Sequence, residues 1–411
     1  MWFARAAGES AGGRIPGPRC SRLRDDPRKQ ALTVPALSDR PFAFFVHHQG
    51  RGHAKRCEAI LRELGRPAVV MCADPGLFTD LPEGTEVVAL PDMIGAPSRT
   101  PGLHAVPNPA SLHCVPLGVP QMREHMGIIA EVLRARDPAL FFVDVSAEIA
   151  LLARILSVPA VKVRMHGDRD DPGHRAAYEA CVGLVAPFGE AIEQEDYPRA
   201  FRAKTFYAGG LCTTTAPVPE KGAARARLGL DADREMILVL SGGGGAGTPY
   251  APLTMGCRAL PEADWHVIGR ASREGHETDF ANLTEHGWVD DPLAWIASAD
   301  VVVASAGDNT VHEIARVGRP FLVVPEWRYF DEQRRKALGL ARAGAAHLSE
   351  TWPGSDAAWR AAIEGARAVD RQAQAGLFRP DAGARIARYL RETADALWAG
   401  EGAGASAMAA E

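Results

Sequence analysis

The stretch from Val301 to Ala345, VVVASAGDNTVHEIARVGRPFLVVPEWRYFDEQRRKALGLARAGA, limits what this chain can fold into more than any other. Val301 to Ala304 is a β-branched apolar run of the kind that fills a parallel strand covered on both faces. Ser305, Ala306 and Gly307 follow as a small-residue turn. A helix opens at Asp308 to Thr310, with Val311, Ile314, Ala315 and Val317 at helical spacing, and Gly318 stands where a left-handed residue would end it. Phe321 to Val324 reads as the next strand, closed by Pro325. Strand, turn, helix and strand this close together form a βαβ unit whose helix N-terminus points at the carboxyl edge of the sheet.

That edge has a chemical use. Main-chain N–H groups at Asn309 to Val311 and the positive end of the helix dipole suit a phosphate. Glu313 lies one turn further in, where a carboxylate accepts from two ribose hydroxyls. Asp331, Glu332 and Gln333 reach the same edge after the second strand and offer partners for sugar hydroxyls. The residues alone specify an anionic, sugar-bearing nucleotide and leave its identity open.

Two further strand-to-helix glycine turns occur. Phe42 to His47 is an apolar strand, followed by Gly50, Arg51, Gly52 and His53 and a helix with apolar Ala54, Cys57, Ile60, Leu61 and Leu64. Met236 to Leu240 is another strand, and Gly242, Gly243, Gly244 and Gly245 follow it, where main chain approaches an anion without Cβ obstruction. No G-K-[ST] follows, which rules out a Walker A loop. His53 at a helix N-terminus is held neutral by the dipole and suits proton abstraction; capping or phosphate contact is the plainer reading. Asp144 ends the strand Ala139 to Asp144, with Glu148 four residues on. It suits orienting His53, acting as base, or capping the next helix. His47 and His48 lack the i, i+4 spacing of helical metal ligands and read as loop or acceptor-site residues.

These motifs resemble those of the GT-B glycosyltransferases. The pattern G-x-x-T-x-x-E (Gly307, Thr310, Glu313), then G-x-P, a strand and an acidic residue before Gln333, is similar to the donor half of the family-28 branch, which includes the peptidoglycan N-acetylglucosaminyltransferase. The G-x-G-H-x-x-R run (Gly50, Gly52, His53, Arg56) is similar to that family's first loop. The resemblance implies that Glu313 holds the ribose, that Gly307, Asn309 and Thr310 face the diphosphate beside Gly242 to Gly245, that Val289 faces uracil, and that Asp331, Glu332 and Gln333 meet the sugar. In antibiotic-type and plant relatives a His at the place of His53 is the catalytic base. The family continues Q-x-x-N-A, whereas this chain has Lys336 for the Asn. Asp308, close to the diphosphate, is expected to cap its helix with its side chain turned aside.

With 411 residues and 46% hydrophobic content, two cores of roughly 150 to 200 residues are expected. A net charge of −5 gives no footprint for nucleic acid, and seven scattered cysteines suit reduced thiols in a cytoplasmic protein. No apolar run approaches the roughly 18 residues of a bilayer span, so membrane contact is expected to be peripheral at most. The expected layout is α/β: two Rossmann-like domains with parallel sheets facing across a cleft. Residues 1–40 form a disordered extension, 41–211 an acceptor domain, 212–220 a linker and 221–380 a nucleotide-sugar domain. Residues 381–399 form a helix crossing back to the first domain, and 400–411 a tail. The proline-rich segment Pro91 to Pro120 is assigned to acceptor recognition.

The expected activity is inverting, metal-independent transfer from a nucleotide diphosphate sugar, UDP-linked by the resemblance, to a hydroxyl, without a cofactor. Lipid-linked sugar, small aglycone and polysaccharide end stay open as acceptors. A nucleotide-sugar epimerase of the same fold and a non-catalytic nucleotide-sugar-binding protein are the competing readings.

Overall fold

All seven strands of the first sheet run parallel, in the order Glu86–Ala89, Ala68–Cys72, Phe42–Val46, Leu140–Val143, Ala160–Val163, Gly183–Ala186, Thr205–Tyr207. Phe42 pairs with Ala68 on one side and with Leu140 on the other. Helices cover both faces, so the central strands carry apolar residues without alternation, and every residue of Phe42–Val46 is buried. Phe42, Phe44 and Val46 enter one core layer while Ala43 and Phe45 enter the layer behind it.

The second sheet repeats this winding in six parallel strands: Leu283–Gly287, Asp264–Ile268, Met236–Leu240, Val301–Ala304, Phe321–Val323, His347–Leu348. Met236, Leu238 and Leu240 face one core, Ile237 and Val239 the other. In each sheet the chain starts near the middle, winds to one edge, then returns and winds to the other. The strand order therefore reverses between Phe42–Val46 and Leu140–Val143, and again between Met236–Leu240 and Val301–Ala304. Open α/β sheets bind ligands outside the carboxyl ends of their strands at such switch points.

The computed structural model describes residues 37–93, 100–211, 216–242 and 247–399, which fall in one compact unit. Most of the expected extension, the first four residues of the expected linker, the tail from residue 400, and Gly243, Gly244 and Gly245 lie outside the described residues. Within the proline-rich segment the described residues hold one short helix, Pro101–His104, before the helix Pro120–Arg136.

Among the described helices of eight residues or more, two had no sequence expectation, Pro172–Ala180 and Lys221–Leu228. Pro172–Ala180 opens with Pro-Gly, which reads as a turn, but Asp171 caps it by accepting from the His174 N–H at 3.1 Å. Lys221–Leu228 buries only Ala224 and Arg225. Glu332–Arg342 begins directly after the left-handed residues Phe330 and Asp331.

The last helix, Ala382–Trp398, packs on the first, Arg51–Leu64. A Cβ on Gly383 would lie 2.8 Å from the Ala59 carbonyl oxygen, so the two backbones are in close contact. Ile386 and Leu390 are fully buried in the first half's core, each contributing about 1.5–3 kcal/mol. Arg391 Nη1 donates to the carbonyls of Glu63 and Leu64 at 2.7 and 3.0 Å, and Trp398 Nε1 to that of Ala139 at 2.8 Å.

Candidate active site

Each switch point carries a helix that starts on a glycine. Gly50 precedes Arg51–Leu64 with φ 96°, a backbone state that favours glycine, and no side chain caps that helix. Gly307 precedes Asp308–Val317, again without a side-chain cap. Its first intrahelical bond runs from the Val311 N–H to the Gly307 carbonyl at 3.0 Å. The N–H groups placed for an anion are thus those before Val311, one residue earlier than expected. The two turns meet: a Cβ on Gly52 would lie 2.8 Å from Asn309 Nδ2. Gly242, the first glycine of the run after Met236–Leu240, also faces this turn, with Thr310 Oγ1 3.9 Å from where its Cβ would be.

In the first half His53 Nδ1 lies 2.6 Å from Asp144 Oδ2. Asp144 is buried, and its other oxygen, Oδ1, lies 3.5 Å from Arg56 Nη1. Burial opposes its ionisation, but the His53 imidazole and the Arg56 guanidinium outweigh it and hold the carboxyl well below the usual range. A carboxylate there accepts the Nδ1–H and leaves the Nε2 lone pair of a neutral His53 available. The capping reading of Asp144 gives way to this contact, since Ser146 Oγ caps the next helix through the Ile149 N–H at 3.3 Å. Glu148, its neighbour in sequence, holds the proline-rich loop instead, accepting from the Cys114 N–H at 2.6 Å. His47 stacks on His48 and tilts toward His53 at 5.5 Å; burial and the neighbouring His53 lower it to about 4.

In the second half Thr310 and Glu313 are buried at the start of their helix. Asp308 does not cap the helix: its Oδ1 lies 2.5 Å from Lys336 Nζ. Lys336, which stands where the family has Asn, is thereby matched by a carboxylate within reach. Burial disfavours the Asp308 anion, yet Lys336, with His312 and Arg56, keeps its carboxyl well below the ordinary range. Arg56, on the first half's helix, thus acts on the acidic residues of both switch points. Gln333 Oε1 accepts from the Ala306 N–H at 3.2 Å and the Glu326 N–H at 2.9 Å, joining the two strand ends. Val289 is half-buried after the strand Leu283–Gly287.

Asp331 and Glu332 pair with arginines. Asp331 Oδ2 lies 3.3 Å from Arg334 Nη1, and Glu332 Oε2 lies 2.6 Å from Arg169 Nη2 of the first half. Arg335 bridges back to Asp168 and Asp196 at 2.7 and 3.0 Å, and the Phe330 carbonyl accepts from the Asp168 N–H at 2.6 Å. A cavity of about 340 Å³ opens beside this ionic seam, lined by Gly167, Arg169, Gln194, Tyr197, Phe201 and Arg335, and not by residues of the glycine turns. The seam had no sequence signal, because its partners lie far apart in the chain. Lys336 with Asp308 did carry one: opposite charges at two positions assigned to the same edge.

Two Rossmann-like halves with opposed switch points are the GT-B architecture of glycosyltransferases, and this chain has it. The glycotransferase of kitacinnamycin superposes with a TM-score of 0.59 at 17% identity, covering 86% of this chain and 99% of that one. MurG of Acinetobacter baumannii superposes with 0.57 at 16% identity, covering 86% and 99%. Residues 265–351 match the glycosyltransferase family 28 C-terminal domain. A UDP-N-acetylglucosamine–N-acetylmuramyl-(pentapeptide) pyrophosphoryl-undecaprenol N-acetylglucosamine transferase of Cutibacterium acnes is 37% identical over 131 residues, 30% of this chain and 35% of that protein. Its counterpart from Paenarthrobacter aurescens is 37% identical over 132 residues, with the same shares. The match to these curated relatives thus spans about a third of their length. No helix among the described residues is long and apolar enough to cross a membrane.

Proposed function

We propose that this chain is an inverting glycosyltransferase that moves a sugar from a UDP-linked donor to an acceptor hydroxyl. The observation that carries the reading is the contact of His53 Nδ1 with Asp144 Oδ2 at 2.6 Å, at a helix start that faces Asn309 of the second half. The donor diphosphate would lie on the N–H groups before Val311, with Glu313 on the ribose. His53 Nε2 takes the acceptor proton while Asp144 holds the ring and stabilises the imidazolium that forms. The hydroxyl attacks the anomeric carbon from the side opposite the diphosphate, which inverts that centre. Charge on the departing diphosphate is met by the helix dipole and turn N–H groups, so the transfer itself needs no metal. Lys336 neutralises Asp308, which would otherwise repel the diphosphate.

The UDP assignment draws on the family match to the second half and on relatives whose name carries UDP-N-acetylglucosamine. Those relatives act on a pyrophosphoryl-undecaprenol substrate, which makes a lipid-linked acceptor the first to try.

The test is thermal-shift titration with UDP, dTDP and GDP and their sugar conjugates, on wild type and Glu313→Ala. A UDP series that stabilises wild type by about 3 kcal/mol at a hundredfold excess over Kd, and the variant far less, supports the donor site. No stabilisation by any nucleotide sinks it. Conversion of the sugar nucleotide without any acceptor would favour the epimerase.

A further inference from the structure

We propose that His113, Asp171 and His174 hold a divalent transition-metal cation of the zinc class, which staples the proline-rich loop to the helix Pro172–Ala180 beneath Phe330. The inference is independent of the transfer reaction and supplies no step in it.

One donor atom from each of the three residues lies within 4.8 Å of the others. Two imidazoles and a carboxylate are a set that zinc-class ions accept, with water in the fourth position. A tetrahedral site needs donor atoms about 3.3 Å apart, so binding would draw the donors together from the span of up to 4.8 Å seen here. The frame around the ligands is tight. Asp171 accepts from the His174 N–H at 3.1 Å and lies 2.5 Å from His174 Nδ1, so the carboxylate and that ring are already fixed to one another. The two imidazoles lie 4.4 Å apart. The loop backbone lies hard against the start of this helix, since a Cβ on Gly173 would fall 2.6 Å from the His113 nitrogen.

Phe330, from the second half, closes the cluster, its ring 5.2 Å from His113 and 5.0 Å from His174. His174 is buried, so an ion bound there would be shielded from bulk water. The cations nearby have other partners: Lys162 Nζ donates to the Val145 carbonyl at 2.7 Å, and Arg169 pairs with Glu332. The ion would thus couple loop, helix and second half at one point.

The experiment strips the full chain with EDTA, then titrates Co²⁺ by absorption and Zn²⁺ by calorimetry on wild type, His113→Asn and Asp171→Asn. Asn keeps the cap at position 171, and His113 lies on a loop, so both variants should show the wild-type melting curve in EDTA. The expected result is one equivalent on wild type with a Kd of about 1 μM or tighter and the d–d bands of tetrahedral Co²⁺. Weakening of at least about 100-fold in His113→Asn and at least about 10-fold in Asp171→Asn is expected. No stoichiometric uptake by wild type overturns the proposal, as does unchanged affinity in a folded variant. If His113→Asn fails to fold, Asp171→Asn decides.

Discussion

Lys336 Nζ lies 2.5 Å from Asp308 Oδ1, joining the helix Glu332–Arg342 to the first turn of the helix Asp308–Val317. Lys336 is fully buried and the Asp308 side chain keeps 17% of its exposure. Lys336→Met therefore leaves a mostly buried carboxylate without its cation, at a cost of about 2–4 kcal/mol, somewhat less than for a fully enclosed pair. Asp308→Ala/Lys336→Met removes both charges and should lose less than Lys336→Met alone. Urea midpoints of the two single variants and the double give the coupling, and additive losses would show that the pair is not energetically linked.

The contact between His53 and Asp144 predicts a split between turnover and donor binding. His53→Ala should lower kcat about 10²–10⁴-fold and leave the donor KM within about threefold. Asp144→Asn keeps the side chain's shape but removes the charge that fixes the ring's tautomer, so it should lower kcat with little effect on donor KM. Initial rates against donor concentration at saturating acceptor separate the two parameters. Full turnover by His53→Ala would remove it from the base role.

Elements with a local signature were legible in the sequence. Met236–Leu240 and Val301–Ala304 are apolar throughout because both faces are covered, and Gly307 and Gly318 mark the ends of the helix between the last two central strands. The winding followed, because strand and helix alternate. Pairings set by how layers stack were not legible. Glu332 meets an arginine 163 residues away, whereas Asp144 against His53, 91 residues earlier, was among the roles the sequence left open. A local reading gave Asp144 and Asp308 the commonest task of an acidic residue near a helix start, which is capping. The fold instead sets a cation or an imidazole opposite each. His113, Asp171 and His174 escaped notice because the loop folds back onto a helix that opens with Pro-Gly.

Gly210 is small because of His312. A Cβ at position 210 would fall 2.1 Å from His312 Cδ2, and that ring is fully buried on the helix Asp308–Val317. Gly210 also donates from its N–H to the Leu377 carbonyl at 2.7 Å and accepts from the Arg379 N–H at 3.2 Å, so its backbone cannot retreat freely. Gly210→Ala should destabilise by about 1–3 kcal/mol through overpacking. Gly222→Ala meets nothing within 4 Å and sits inside the helix Lys221–Leu228, so it should be neutral or stabilising. Thermal melts of the two variants side by side check the contrast, and equal midpoints would contradict it.

His312 also predicts an acid response. Both its ring nitrogens are buried without a hydrogen-bond partner. Burial lowers its pKa to about 4; Asp308 opposes that shift, while Lys336 and Arg56 add to it. In the unfolded chain the same imidazole titrates near 6.5. Between about 4 and 6.5 the unfolded state therefore binds more protons, and stability falls as pH falls through that window, by roughly 3 kcal/mol for this one group. His47 and His174, also lowered to about 4, act in the same direction, so the wild-type slope exceeds the share of a single histidine. His312→Leu should lose about one proton's worth of that slope, so it gains on wild type as pH falls. Urea unfolding at pH 7.5, 6 and 5 measures it, and a variant slope equal to wild type would mean that His312 does not stay neutral in the folded protein.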